Sequence, residues 1–323
     1  MAARNTLRRA LLYIPGSSQR FITKSRSLTA DCVAYDLEDS VTPHKKAEAR
    51  SLVRRALDEP APPGIRERAV RINSVDSGLA LADLTEVLKS PNLSTIVIPK
   101  VNSSSDLTFV NDVITHTLAQ QEAQGLPVTK SPISLLALVE SAKSLTNLTS
   151  ITSATPLLQG LIFAAEDFAL DLSLTRTPSL TEFLFARSAI ATAARAANLP
   201  STIDLVCTTY KSTNGDGKPP AQLEEECRGG RGLGFNGKQC IHPSQVETVQ
   251  RIYGPDEDEV NWAIRVVVAD EKAARQGRGA WTLDGKMIDV PVAEKAKAIV
   301  RKAEDCGVDV GALRARWSGQ EPE

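Results

Sequence analysis

Cys32-Val33-Ala34-Tyr35-Asp36-Leu37-Glu38-Asp39 passes from small, β-branched and aromatic residues into three acids within four positions. A short apolar run bounded by polar turns reads as a strand buried on both faces, and the acids mark where such a strand leaves the core. Working outward, runs of this kind recur at Ala10 to Ile14, Arg68 to Ile72, Thr95 to Pro99 and Ser134 to Val139. Three more stand at Gly160 to Ala164, Thr202 to Val206 and Lys238 to His242. Most of the spacers, roughly 20 to 40 residues, hold a helix and two loops, as a parallel crossover requires. Pro43 to Leu57 and Ser179 to Ala197 are rich in the alanine, arginine and leucine that favour helix. Eight βα units in this order predict a (β/α)8 TIM barrel. The alternative, a doubly wound sheet, needs a glycine-rich phosphate turn after its first strand, and Pro15-Gly16-Ser17-Ser18 matches that turn weakly.

Beyond Gln245 the pattern changes to a polar turn at Gly254 to Asp258, a helical run to Gln276, a Gly-rich hairpin-like stretch to Asp289 and a final helix. The expected organisation is therefore a barrel over residues 1–245 and a C-terminal appendage over 246–323, placed to cover the mouth or to reach a neighbouring subunit.

Composition narrows the function classes. The 38 basic and 39 acidic residues nearly cancel, and no basic tract with interleaved aromatics occurs, so no nucleic-acid partner is expected. No apolar run approaches the roughly 20 residues of a membrane helix, so no membrane span is expected. Five scattered cysteines without a Cys-x-x-Cys pair fit a reduced, intracellular compartment and argue against a disulfide framework or structural zinc. Arg4, Arg8 and Arg9 precede a strand that begins at Ala10, which leaves little room for a transit peptide, so a cytoplasmic setting is expected over a mitochondrial one.

In a parallel barrel the chemistry gathers at the carboxyl ends of the strands. There the chain places Asp36, Glu38 and Asp39 after strand two, Arg71 after strand three, Lys100 after strand four, Glu140 after strand five, and Glu166 and Asp167 after strand six. Glu140 and Asp167 follow consecutive strands, so both carboxylates project into one mouth. Two carboxylates without nearby Cys or His suit Mg²⁺ better than zinc. The competing reading makes each a helix cap or a partner of Lys100. Arg71 offers a planar fork to a carboxylate or carbonyl oxygen, or else pairs with Asp36 or Glu38. Lys100 serves the site or only balances the acids. His242 lies near Cys240 in sequence, but the two are poorly placed for a nucleophilic pair, and a buried, hydrogen-bonded structural histidine is expected. His44 and His116 fall on helical surface.

Leu12-Tyr13-Ile14-Pro15-Gly16, Asp36-Leu37-Glu38-Asp39-Ser40-Val41, Arg71-Ile72-Asn73-Ser74, Ile98-Pro99-Lys100-Val101, Val139-Glu140-Ser141, Ala165-Glu166-Asp167-Phe168, Gly237 to Pro243 and Asp284 to Asp289 together resemble the HpcH/HpaI aldolase and citrate-lyase-beta family. Within it, Arg71 to Leu84 and Met287 to Pro291 most resemble the branch that cleaves citramalyl-CoA. The resemblance implies a barrel, usually a homotrimer, with Glu140 and Asp167 on Mg²⁺ (Mn²⁺ substituting) and Arg71 on substrate oxygens. It implies that Asp289 acts as acid or base in a neighbouring subunit's site, although by itself Asp289 reads as a helix N-cap beside Pro291. It places Arg20 and Lys24 near the nucleotide of a CoA-thioester substrate.

The implied reaction is retro-Claisen cleavage of a short 3-hydroxyacyl-CoA, such as (3S)-citramalyl-CoA, to acetyl-CoA and pyruvate. Asp36, Glu38, Asp39 and Lys100 fall around that centre, with Glu38 and Asp39 expected to hold metal waters and to keep Lys100 or Arg71 in place. Alternatives are malyl-CoA cleavage, a malate-synthase or thioesterase activity, a citrate-lyase subunit working on an acyl-carrier protein, and an idle scaffold barrel. Ala164-Ala165 departs from the Gly-Gly or Gly-Ala common in relatives, and a methyl there trims the acyl pocket.

Overall fold

The computed structural model describes residues 7–129, 132–211 and 220–323. Eight parallel strands close into a barrel in chain order: β1 (Ala10–Pro15), β2 (Ala30–Asp36), β3 (Ile65–Arg71), β4 (Thr95–Ile98), β5 (Ser134–Val139), β6 (Leu158–Phe163), β7 (Ser201–Asp204) and β8 (Gly237–Cys240). The ring closes where Ala10 and Leu11 of β1 sit opposite Lys238 and Gln239 of β8. The helices between strands are α1 (Gln19–Ser25), α2 (Lys46–Asp58), α3 (Ala80–Val87), α4 (Ser104–Ala123), α5 (Ala142–Thr146), α6 (Leu148–Thr152), α7 (Ala165–Leu172), α8 (Leu184–Ala196) and α9 (Ala221–Gly232).

Side chains alternate across each strand, so Leu11, Ala34, Ala69, Val97, Leu136 and Ile162 fill the interior while their neighbours pack under the helices. Gly16 and Gly237 allow close backbone approach. A Cβ on Gly16 would lie 2.5 Å from the Asp36 carbonyl oxygen, and one on Gly237 would lie 2.0 Å from that of Arg8.

The amino-terminal end of the barrel is closed by a buried charge plug. Arg8, 3% exposed, sends Nε and Nη2 to the two carboxylate oxygens of Glu67 at 2.6 and 2.7 Å and Nη1 to Ser201 Oγ at 2.8 Å. Thr95 donates to the same carboxylate. Burial alone would raise the Glu67 carboxyl, but the bonds and charge of Arg8 outweigh it and hold it below the ordinary range.

The first compact unit ends at Gln250 and the second is Arg251–Glu323, so the division falls inside α10 (Val246–Tyr253) rather than ahead of it. The second unit contains α11 (Glu257–Arg275), the antiparallel hairpin β9 (Trp281–Leu283) and β10 (Lys286–Ile288), α12 (Val290–Asp305) and α13 (Val310–Arg316). Its core packs Trp281, Leu283 and Ile288 of the hairpin on Ile264, Ala296 and Val300. The final helix α13 was absent from the expected pattern. Among the described residues, no helix is long and apolar enough to cross a membrane.

Candidate active site

β2 and β3 run in register with Asp36 directly opposite Arg71. That pairing settles what the arginine fork does: Nε and Nη2 meet the two Asp36 oxygens at 2.7 and 2.8 Å. Ser40 adds bonds to the same carboxylate from its backbone N–H and its hydroxyl. Burial pushes the Asp36 carboxyl up, yet the bonds and charge of Arg71 win and hold it below its usual value. The guanidinium also lies 4.7 Å over the Tyr13 ring, and Nη1 reaches Glu38 at 3.1 Å and Asp39 at 3.5 Å. The Arg71–Asp36 and Arg71–Glu38 pairs are therefore present, and all three guanidinium nitrogens of Arg71 face carboxylates.

Lys100 bonds Glu38 Oε1 at 2.8 Å and stands 3.9 Å from Asp39. Its backbone is left-handed, with φ of 52°. Glu38 Oε2 is buried without a hydrogen bond, and burial raises this carboxyl despite Arg71 and Lys100.

Val139 of β5 and Phe163 of β6 are paired, so the residues just past them, Glu140 and Ala164, leave neighbouring staves at the same level. Asp167 lies in the first turn of α7. Its neighbour Glu166 is taken by Arg176, which also bonds Glu226 at 2.9 Å, and Glu226 in turn bonds the fully buried Lys238 at 3.0 Å. Glu140 and Asp167 have no ion-pair partner among the described residues, and neither caps a helix with its side chain. Glu140 is 4% exposed. Burial, with the charges of Glu38 and Asp167, pushes its carboxyl up to about 8, against weaker pulls from the Lys100 charge and backbone N–H.

This excess of negative charge tests whether the residues fit a cation. The donors are all carboxylate oxygens, the choice of a hard ion such as Mg²⁺. Among the described residues, no group of three or more His, Cys, Asp or Glu converges as a cage. A two-carboxylate set that leaves other positions to water and ligand suits Mg²⁺, which dehydrates reluctantly.

A cavity of about 470 Å³ opens beside these groups, bordered by Tyr13, Asp36, Asp39, Arg71, Asp167 and Gln239, with Leu138, Ala164 and Val206 as an apolar wall. Gln239 crosses the barrel interior: it accepts from the Tyr13 hydroxyl at 3.0 Å and donates to the Phe163 and Asp204 carbonyls at 2.8 and 3.2 Å. Sequence reasoning missed Tyr13 and Gln239 as site residues, although both lie inside quoted motifs. Their inward orientation on β1 and β8 is the signal that strand alternation offered.

Other expectations resolve unevenly. Arg20 and Lys24 stand exposed one turn apart on α1. Cys240 is buried, and His242 stands beyond the end of β8. The expectation of a buried His242 was wrong. The ring is exposed, stacks on Tyr210 at 4.9 Å and bonds Ser244 at 2.7 Å, because the chain has already left the barrel wall. His44 and His116 are exposed, as expected. Asp289 caps α12 by accepting from the Val292 N–H at 3.1 Å, between the exposed Met287 and Val290.

Comparison with known proteins places this arrangement. The model of the HpcH/HpaI aldolase/citrate lyase family matches residues 9–243. Mitochondrial citramalyl-CoA lyase of Homo sapiens is 34% identical over 305 residues, covering 92% of this chain and 85% of the relative. The citrate lyase subunit beta of Escherichia coli (strain K12) is 36% identical over 303 residues, covering 93% and 95%. Among solved structures, the protein CitE of Mycobacterium tuberculosis in complex with magnesium, acetoacetate and coenzyme A superposes with a TM-score of 0.70 at 28% identity, covering 93% of this chain and 99% of that one. A closed barrel with acids at its mouth, a family match from β1 past β8 and full-length relatives above 30% identity agree: the chain belongs to the HpcH/HpaI aldolase/citrate lyase family.

Proposed function

We propose that the protein is a Mg²⁺-dependent carbon–carbon lyase that cleaves a short 3-hydroxyacyl-CoA, with (3S)-citramalyl-CoA as substrate and acetyl-CoA and pyruvate as products. The observation that carries this reading is Glu140, a buried carboxylate facing Asp167 and Glu38 with no ion-pair partner among the described residues. Glu140 and Asp167 would hold a divalent ion, which would supply Lewis acidity toward the substrate hydroxyl and carboxylate.

The hydroxyl gives up its proton to a solvent water, and its carbon becomes the ketone of pyruvate. The bond from that carbon to the thioester α-carbon breaks, and its electron pair forms the acetyl-CoA enolate. Arg71, held rigid by Asp36 and Tyr13, steadies the developing oxygen charge. Asp289 protonates the enolate carbon. Leu138, Ala164 and Val206 give the citramalyl methyl an apolar wall, and Arg20 and Lys24 take CoA phosphates. Lys100 balances Glu38 and Asp39 beside the place the ion would take, where the two acids would orient its waters.

The protein acts as a homotrimer in the cytoplasm, the second unit of each copy completing a neighbour's site. Incubating the pure protein with Mg²⁺ and malyl-, methylmalyl- and citramalyl-CoA, with mass detection of the free oxo acid, tests class and substrate together. Pyruvate released from citramalyl-CoA in preference to the others is the expected result. Mn²⁺ should replace Mg²⁺ in that assay.

The relationship to citrate lyase subunit beta favours one other reading, a subunit that works on a thioester carried by an acyl-carrier protein. Turnover of a CoA thioester by the isolated chain would exclude it. Asp289→Ala should lower turnover by about a hundredfold or more while metal binding persists. Mixing that variant with Glu140→Ala in reassembled oligomers should restore activity that neither parent has, and no recovery in verified mixed oligomers would confine Asp289 to its own barrel or to capping.

A further inference from the structure

The acidic stretch after β2 crowds Asp36, Glu38 and Asp39 into one turn, and the structure shows what holds it. Lys46, the first residue of α2, points Nζ at three oxygens: the Leu37 carbonyl at 2.7 Å, the Glu38 carbonyl at 2.7 Å and Asn73 Oδ1 at 2.6 Å. Asn73 follows β3 and is itself fixed, donating from Nδ2 to the Leu37 carbonyl at 3.0 Å and to Asp83 at 2.7 Å. Arg50 pins Asp83 from the far side at 2.7 Å. A second cavity of about 340 Å³ lies over this knot and is bordered by Lys46, Glu38, Asp39 and Lys100.

We propose that Lys46 is a positioning residue of the active site, holding the Asp36–Asp39 turn so that the Glu38 carboxylate stays between Lys100 and Arg71 and beside Glu140. Glu38 is gripped at both ends, its carbonyl by Lys46 and its carboxylate by Lys100. Without the first grip, repulsion among the three acids and Glu140 favours turning Glu38 out to water, which breaks the Lys100 bond and loosens the third contact of Arg71. Three acceptors converging on one nitrogen match the three donors of an ammonium. A planar guanidinium has no such point of convergence. The inference rests on the metal site proposed above, and its first readout is independent of turnover.

The experiment uses full-length Lys46→Met, with Lys46→Gln in its place where the methionine variant does not fold. Mn²⁺ binding to the metal-free protein is followed by electron paramagnetic resonance, and kcat and KM are followed with the CoA thioester. Groups that orient metal ligands typically change metal affinity or activity about 10- to 100-fold. The expected result is a Kd for Mn²⁺ at least about tenfold higher, with a lower kcat and little change in KM. Lys46→Arg should fail in the same way. Lys46→Cys should fail too and then recover when bromoethylamine rebuilds an ammonium on the thioether, with wild type treated alongside to allow for the partly exposed Cys306. A lower Tm with wild-type Mn²⁺ affinity, or full function in Lys46→Arg, would overturn the proposal and leave Lys46 a purely structural tie. A wild type without lyase activity whose Mn²⁺ affinity still falls on substitution of Lys46 would instead reject the proposed reaction and keep the positioning role.

Discussion

The two ends of the barrel use the same residue type in opposite ways. At the amino-terminal end Glu67 is buried, bonded at both oxygens by Arg8 and held below its ordinary pKa. At the carboxyl-terminal mouth Glu140 is buried to a similar degree, has no ion-pair partner among the described residues, and is pushed up to about 8. Burial weighs on both, so the difference comes from the neighbours, a guanidinium at one end and other carboxylates at the other. A paired acid closes and registers a barrel, whereas an acid facing other acids stores an unmet demand for positive charge, which is the usual mark of a functional site.

The sharpest break in that comparison is substitution at each end. Glu140→Ala or Asp167→Ala should lower Mg²⁺-dependent turnover by at least about a thousandfold, near 4 kcal/mol of transition-state stabilisation, with an unchanged circular dichroism spectrum. Chelation of the wild type by EDTA should reproduce the loss reversibly. An unfolded Glu140→Ala protein, or full activity after exhaustive chelation, would make the mouth acids structural like the plug.

At the other end, Glu67→Ala leaves Arg8 buried and uncompensated, which costs about 3 to 5 kcal/mol. Denaturant unfolding should show that loss, while kcat/KM of the molecules still folded should stay close to wild type. A catalytic defect without a stability defect would erase the division between the ends.

Arg71 lies between the two cases, being both paired and at the mouth. Arg71→Lys keeps the charge but loses the two-point grip on Asp36, and kcat/KM should fall about tenfold, near 1.4 kcal/mol. A wild-type value would reduce Arg71 to bulk charge.

The smallest expected effect is the pH dependence of the metal-free fold, which has opposite sign at the two ends. Glu140 holds its proton more tightly folded than unfolded, so its contribution to stability is complete below the ordinary carboxylate pKa and is lost as pH rises through about 8. Glu67 and Asp36, held below their ordinary values, contribute above that range and lose their contribution as pH falls beneath it. The Tm of the apo protein should therefore drift down from pH 5 to 8, by roughly 2 to 4 °C for each kcal/mol lost, with Mg²⁺ flattening the slope. An upward drift would contradict the burial assigned to Glu140.

The barrel was legible because each strand announces itself as an apolar run between charged ends. β2 starts at Ala30 instead of Cys32, and β7 stops at Asp204, short of Val206, but all eight occur in order. Glu140 and Asp167 were legible as candidates because each closely follows an apolar run and so stands at the carboxyl end of the barrel. The occupied fork of Arg71 was left open, since the direct opposition of Asp36 and Arg71 exists only once β2 and β3 are in register. Lys46 was hidden within a helix-forming stretch whose lysines look alike until the turns after β2 and β3 meet over one of them. His242 was misjudged because β8 ends at Cys240, earlier than its apolar neighbours imply.

The left-handed backbone of Lys100 has a consequence for anyone seeking a hardier enzyme. An L-residue with a side chain in that conformation costs about 1 to 2 kcal/mol that glycine escapes. Lys100→Gly should thus rank well in a heat-resistance screen, and it would remove the ammonium that balances Glu38. Selecting for survival at high temperature and selecting for turnover would pull this single position in opposite directions.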